Sequence, residues 1–249
     1  EFTEARIDLP DGTLAAADTS FRRARVATPD DDLFAIFEDR LRANLPHARI
    51  ETGVPRFRLG TLERQITAHH DGDFFGTHSD IGLSWQDSSG RRLSFVYYFH
   101  EQPRRFEGGE LRLYDHRLNE LGQLEADETF QTIEPANNSI VFFPSNALHE
   151  VRPVRVAGDP DAPGATRFTL TGWFHDADHR KAAPPMDRET RTALTQRYTP
   201  SFTETGFLKV KTPSAVHRAL RAAYDERLGR HFTETADELH MPTGVPDFI

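Results

Sequence analysis

A chain of 249 residues with 37% hydrophobic side chains, 19 Phe and a formal charge of −9 can bury a sizeable core. It offers no net basic face to nucleic acid and has no apolar run of membrane-spanning length. It contains no Cys, which excludes a disulfide framework, a thiolate nucleophile and a Cys-based zinc site, so any metal must be held by His and carboxylate.

The first residues, "EFTEARIDLPDG", lack the basic start and apolar stretch of a secretory signal, and a soluble cytoplasmic protein is expected. Thr28 to Leu45 reads as a helix: Thr28 suits the N-cap, Pro29 the first helical position, and Asp30, Asp31 and Asp32 complement the positive helix start. Leu33, Phe34, Phe37, Leu41 and Leu45 then recur at helical spacing. From about Pro55 the texture changes to short strand-like runs: "RFRL", "LERQITA", "FFGTHSD", "RLSFVYYF", "GELRLYD", "TFQTIEP", "SIVFFP", "HEVRPVRV" and "RFTLTGWFH". Turn residues separate them, at Asp71-Gly72, Ser89-Gly90, Gly108-Gly109, Ala136-Asn137-Asn138 and Gly158-Asp159-Pro160. Many short strands behind one helix predict a mainly β fold with flanking helices, a sandwich or jelly roll. Past residue 178, "PPMDRETRTALTQRY" looks helical and "GFLKVK" looks like a strand. "TPSAVHRALRAAYDERLG" carries the marks of a helix, with Thr212 as cap, Pro213 at the first position and Gly229 as stop. The expected organisation is a lead and supporting helix over 1–54 and a catalytic core over 55–178. An extension over 179–249 packs on that core or begins a further module.

The pattern His-any-Asp occurs twice within "AHHDGDFFGTHSD". His69 and Asp71 run into an Asp-Gly turn, so their side chains need not share a direction. His78 and Asp80 lie in a strand-like run, where residues two apart face the same side and can reach one metal. "SIVFFPSNALHEV" offers His149 as a third ligand. Two His and one carboxylate leave open positions, an arrangement suited to non-haem Fe(II). "RFTLTGWF" places Arg167 and Thr169 on one strand face, and a buried guanidinium calls for an anion, most naturally a carboxylate.

Together, "HHDGDFFGTHSD", "FVYYFHEQPRRFEGGELRLYD", "NNSIVFFPSNALHEVRPV" and "TRFTLTGWF" resemble the 2-oxoglutarate/Fe(II) dioxygenases of the prolyl 4-hydroxylase type, including bacterial relatives of the oxygen-sensing prolyl hydroxylases. The resemblance covers about residues 60 to 176. It implies a double-stranded β-helix of the cupin-like jelly-roll kind, with helices packed outside. It implies His78, Asp80 and His149 as iron ligands, Arg167 as the anchor of the 2-oxoglutarate C5 carboxylate, and Thr169 and Tyr98 as its helpers. Many members carry Tyr where this chain has His69, which leaves His69 as a co-substrate contact or a structural group. The implied cofactors are Fe(II), 2-oxoglutarate and O₂, with ascorbate as a candidate reductant. The implied reaction hydroxylates a C–H bond of a prolyl, peptidyl or small amino-acid-like substrate and releases succinate and CO₂. The expected partner is that small-molecule or peptide substrate, not nucleic acid or membrane, and the oligomeric state stays open. The rival reading is a non-catalytic cupin-like metal-binding or interaction module.

Overall fold

A computed structural model describes residues 2–5, 19–81, 90–118, 124–179 and 208–211. The chain enters through three short strands, β1 (Thr3–Glu4), β2 (Arg22–Arg23) and β3 (Arg25–Ala27), followed by helix α1 (Asp31–Glu51). Then come β4 (Leu59–His69), β5 (Phe74–His78), β6 (Arg91–Tyr98), β7 (Phe106–Gly108) and β8 (Leu111–Leu118). They are followed by β9 (Leu124–Ile133), β10 (Ser139–Pro144), β11 (His149–Val151), β12 (Val154–Val156), β13 (Arg167–Asp176) and β14 (Leu208–Lys211).

Two antiparallel sheets carry the fold. The major sheet runs β1-β3-β4-β13-β6-β10-β14 and the minor sheet β2-β5-β11-β8-β9, with β7 and β12 as a separate two-stranded ribbon. This is the jelly-roll arrangement expected from the strand-rich span. The lead contributes strands to both sheets, and "GFLKVK" supplies β14 beside β10. The two expected helices of the extension lie outside the described residues. Among the described residues, no helix is long and apolar enough to cross a membrane.

Strand alternation divides the core in two. On β6, Phe95 and Tyr97 face outward and join Phe34, Phe37 and Leu41 of α1 in one cluster, with Phe142, Phe168, Leu170 and Phe174 beneath. Val96 and Tyr98 face inward and meet Leu111, Leu113, Ile133, Val141 and Phe143 between the sheets. The major sheet is therefore buried on both faces, and α1 is its outer cover.

Three expectations are corrected in detail. Asp30, not Thr28, caps α1, its side chain accepting from the Asp32 amide. The helix also passes through Pro46 and ends at Thr52, whose amide and hydroxyl both donate to Ala48 O. Proline removes one amide donor, and the apolar face packed on the sheet outweighs that loss. "HEVRPVRV" is two strands rather than one, because Pro153 breaks the ladder between β11 and β12.

Candidate metal centre and co-substrate pocket

β5 ends at His78 and β11 begins at His149, and their register sets these two residues directly opposite each other. The ring centroids stand 4.1 Å apart. Each imidazole Nδ1 lies against the backbone carbonyl two residues before it, Gly76 O at 2.8 Å and Ala147 O at 2.9 Å. A carbonyl only accepts, so Nδ1 carries the proton and each Nε2 presents a lone pair. Both Nε2 atoms lie 3.8 Å from Asp80 Oδ1.

Asp80 sits past the end of β5, in a turn fixed by its amide donating to Ser145 O at 3.0 Å. The sequence expected His78 and Asp80 to share a strand face; they converge instead because the chain turns after His78. Ser94 Oγ donates to Asp80 Oδ2 at 2.5 Å and also meets Ser145 Oγ at 3.0 Å. Arg91 donates to the Asp80 carbonyl at 3.0 Å.

Burial, with His149 alongside, pushes the His78 imidazole down to about 3, so it is neutral. Burial pushes the Asp80 carboxyl up, but the two imidazoles, Arg91 and the Ser94 hydroxyl outweigh it and hold it ionised. Two lone pairs and one anion thus face a common point, their ligand atoms all within 4.8 Å of one another. Such a donor set repels itself unless a cation lies between, and its composition suits Fe(II).

A second cluster lines the same cavity. Arg167, 1% exposed, opens β13 opposite His69 on β4. Its Nε donates to Gly109 O at 2.8 Å and its Nη1 to His69 Nδ1 at 3.2 Å. Gly109 has φ of +70°, and a Cβ there would lie 2.6 Å from Arg167 Cδ, so only glycine seats this side chain. The guanidinium carbon lies 5.1 Å from the Tyr98 ring centre. Among the described residues no carboxylate pairs with it.

Arg167 can only donate, so His69 Nδ1 accepts and His69 Nε2 carries the proton. Burial first, then the charge of Arg167, holds the His69 imidazole well below its ordinary value and neutral. Its Nε2, the Tyr98 hydroxyl, Thr169 Oγ1 and Thr67 Oγ1 are all buried without a hydrogen-bond partner. A buried cation ringed by unsatisfied polar atoms is the environment a carboxylate satisfies. The cavity thus has the donor set for Fe(II) at one end and for an acid at the other.

Among the described residues the first His-any-Asp pair joins no metal-ligating cluster: His69 Nδ1 accepts from Arg167 and Asp71 Oδ1 accepts from the Val156 amide. Only the second pair joins His149.

Residues 64–175 match the 2OG-Fe(II) oxygenase superfamily. That span, a little under half of the chain, is similar to this superfamily. The superfamily's description implies Fe(II) and 2-oxoglutarate, and the His78, Asp80 and His149 donor set fits such a metal. The chain is 38% identical over 142 residues to an uncharacterized PKHD-type hydroxylase of Synechocystis, an alignment covering 57% of this chain and 45% of that protein. It is 26% identical over 165 residues to a PKHD-type hydroxylase of Gloeothece citriformis, covering 64% of this chain and 65% of the relative. The chain thus spans less than two thirds of the length of these curated relatives. Among solved structures, a Pseudomonas putida prolyl-4-hydroxylase overlays with a TM-score of 0.45 at 22% identity, covering 70% of this chain and 92% of that one.

Sequence reasoning missed several residues of the site. Ser94 and Ser145, which steer Asp80, carry no motif. Gln65 and Thr67 line the cavity on the same β4 face as His69, and period-two counting back from His69 reaches both. Arg22 also lines it, from a strand of two residues that leaves no periodic signal.

Proposed function

We propose that the protein hydroxylates a C–H bond of a prolyl, peptidyl or small amino-acid-like substrate, with 2-oxoglutarate leaving as succinate and CO₂. The observation that carries this reading is the meeting, in one cavity, of the His78/Asp80/His149 lone pairs with a buried Arg167 that lacks a carboxylate among the described residues. Bound Fe(II), with 2-oxoglutarate and O₂, would supply the oxidising power.

The chain's own residues prepare the site. His78 and His149 each turn Nδ1 to a backbone carbonyl, which aims Nε2 at the metal point. Asp80 offers Oδ1 while Ser94 occupies Oδ2. Arg167 holds the distal carboxylate, with the Tyr98 hydroxyl, Thr169 and the His69 Nε2–H as further donors. Val96, Leu111, Phe143 and Val151 wall the cavity and keep water from the reacting groups. Gln65, Thr67 and Thr171 give the β4–β13 wall a polar strip, which suits a substrate with amide or carboxyl groups.

The test is Fe(II)-dependent release of succinate from 2-oxoglutarate, with mass spectrometry of candidate peptides and amino acids after turnover. A protein that binds Fe(II) but never consumes 2-oxoglutarate would overturn the reading in favour of a binding module.

A further inference from the structure

Every polar group of Asp80 but one is held. Its amide donates to Ser145 O at 3.0 Å and its carbonyl accepts from Arg91 Nη1 at 3.0 Å, so the backbone is fixed on both sides of the side chain. The carboxylate plane needs a hold of its own, because the last torsion of an aspartate is broad and roughly two-fold. Ser94 Oγ supplies it, donating to Oδ2 at 2.5 Å, the short distance of a charge-assisted bond. That leaves Oδ1, which lies 3.8 Å from Nε2 of His78 and of His149.

Ser94 is itself backed. It stands on the inner face of β6 with Val96 and Tyr98, and its register partner on β10 is Phe143, just before the turn that carries Ser145. Ser145 Oγ lies 3.0 Å from Ser94 Oγ, and both side chains are buried, at 0% and 1% exposed. The Ser145 carbonyl accepts from the Asp80 amide and from the Ser79 hydroxyl, and the Ser145 amide donates to Arg92 O on β6. One residue thus holds the Asp80 turn by its backbone and, through Ser94, by its carboxylate. Buried hydroxyls cost free energy unless they are bonded, and this pair spends its bonds on the orientation of one metal-ligand candidate.

The consequence is a matter of counting. Carboxylates bind hard cations through one oxygen or through two. An octahedral metal held by His78, His149 and one oxygen of Asp80 keeps three positions open, and held by both oxygens it keeps two. 2-Oxoglutarate, chelating through two atoms, would fill those two and leave no place for O₂. We infer that Ser94, backed by Ser145, is a positioning residue that holds Asp80 to one-oxygen ligation and so preserves the third open position. This rests on the proposed oxygenase reading and adds which residues set how many reactants the metal can gather.

Water proton relaxation on the full chain loaded with Mn(II) reads that number without turnover, because each exchanging water on the paramagnetic ion adds its share. At saturating Mn(II) the parent should show three exchanging waters, and one once 2-oxoglutarate is saturating. Ser94→Ala frees Oδ2 to reach the metal and should show two and then none. The metal's relaxation effect should then fall by about one third before 2-oxoglutarate is added and by nearly all of it afterwards. Ser94→Thr keeps the hydroxyl and should keep the parent's counts, and Ser145→Ala should fall between. A serine that served only packing would change the melting temperature and leave the counts alone. Identical counts in the parent and Ser94→Ala, with and without 2-oxoglutarate, would overturn the inference. Should Ser94→Ala not fold, parent counts in Ser145→Ala would overturn it equally. A parent that does not bind Mn(II), or whose waters 2-oxoglutarate does not displace, would reject the oxygenase reading itself, and the inference with it.

Discussion

Replacing Arg167 by Met separates stability from binding. The side chain is 1% exposed, and burial pulls its pKa below the ordinary guanidinium value. In the metal-free protein it is a desolvated cation whose described partners are a carbonyl, an imidazole nitrogen and a ring face. Met fills a similar volume without that desolvation cost. Its loss side is two hydrogen bonds, with Gly109 O and His69 Nδ1 left bare, at about 1–3 kcal/mol each. Relief of charge burial offsets much of this, since apolar replacements of buried charges are often neutral or stabilising by about 1–4 kcal/mol. The ligand-free melting temperature should therefore fall by only about 3–6 °C, the mid-range difference of about 1.5 kcal/mol on a scale of roughly 2–4 °C per kcal/mol for a chain of this size. Binding should change far more. A broken buried charge pair costs about 3–5 kcal/mol, which is on the order of a hundred- to several-thousandfold in 2-oxoglutarate affinity. Thermal melts with Mn(II) present and 2-oxoglutarate titrated read both effects. At a concentration of about 100 times Kd the parent gains about 2.7 kcal/mol, hence roughly 5–11 °C, and Arg167→Met gains almost nothing. Superimposable 2-oxoglutarate titrations for parent and variant would refute the assignment of Arg167 as the anchor.

Gly109→Ala, which drives a Cβ against the Arg167 stem at a positive φ, should weaken 2-oxoglutarate binding by on the order of tenfold and leave Mn(II) affinity intact, both measurable by calorimetry. Tyr98→Phe and Thr169→Val each remove one unsatisfied donor and should each cost about 1 kcal/mol in 2-oxoglutarate affinity in the same assay. His78 is neutral down to about pH 3 when folded but titrates near 6.5 when unfolded, so its contribution is complete above about pH 6.5 and is lost as pH falls towards 3. Urea unfolding of the metal-free protein should accordingly lose about 2 kcal/mol between about pH 6.5 and 5 through this residue, a loss absent from His78→Gln. Phe37→Ala, in the α1 seat 4.9 Å from the Tyr97 ring, should cost about 3–5 kcal/mol of stability by urea unfolding without changing Mn(II) affinity.

The chemistry-bearing residues were legible because they announce themselves by type and spacing. His78, Asp80, His149 and Arg167 sit within or beside strands whose two-residue period survives in the sequence. The reason given for Asp80 was incomplete: a turn held by Ser145, a contact 65 positions away, brings it to the metal point. The start of α1 was misplaced because Thr28 and Asp30 are both good caps, and only the sheet it packs on decides between them. Pro46 signalled a stop that long-range packing overrode. Arg22 was invisible for a different reason. Two paired residues have no pattern, and the glycine that admits them, Gly76, where a Cβ would meet the Phe21 ring, lies 54 positions further along the chain.

The six residues from Arg22 to Ala27 also finish something the span that matches the superfamily leaves open. β2 bonds to β5 of the minor sheet, and two residues later β3 bonds to β4 of the major sheet, with Ala24 buried at the crossing. β4 and β5 would otherwise be the outermost strands of their sheets, each offering a row of unpaired N–H and C=O groups. Such rows recruit strands from other copies and seed aggregation. A fragment cut at residue 64, where the superfamily match begins, would carry every metal-binding candidate and still expose both rows. Its failure to stay in solution would then report on a missing clasp rather than on the chemistry of the site.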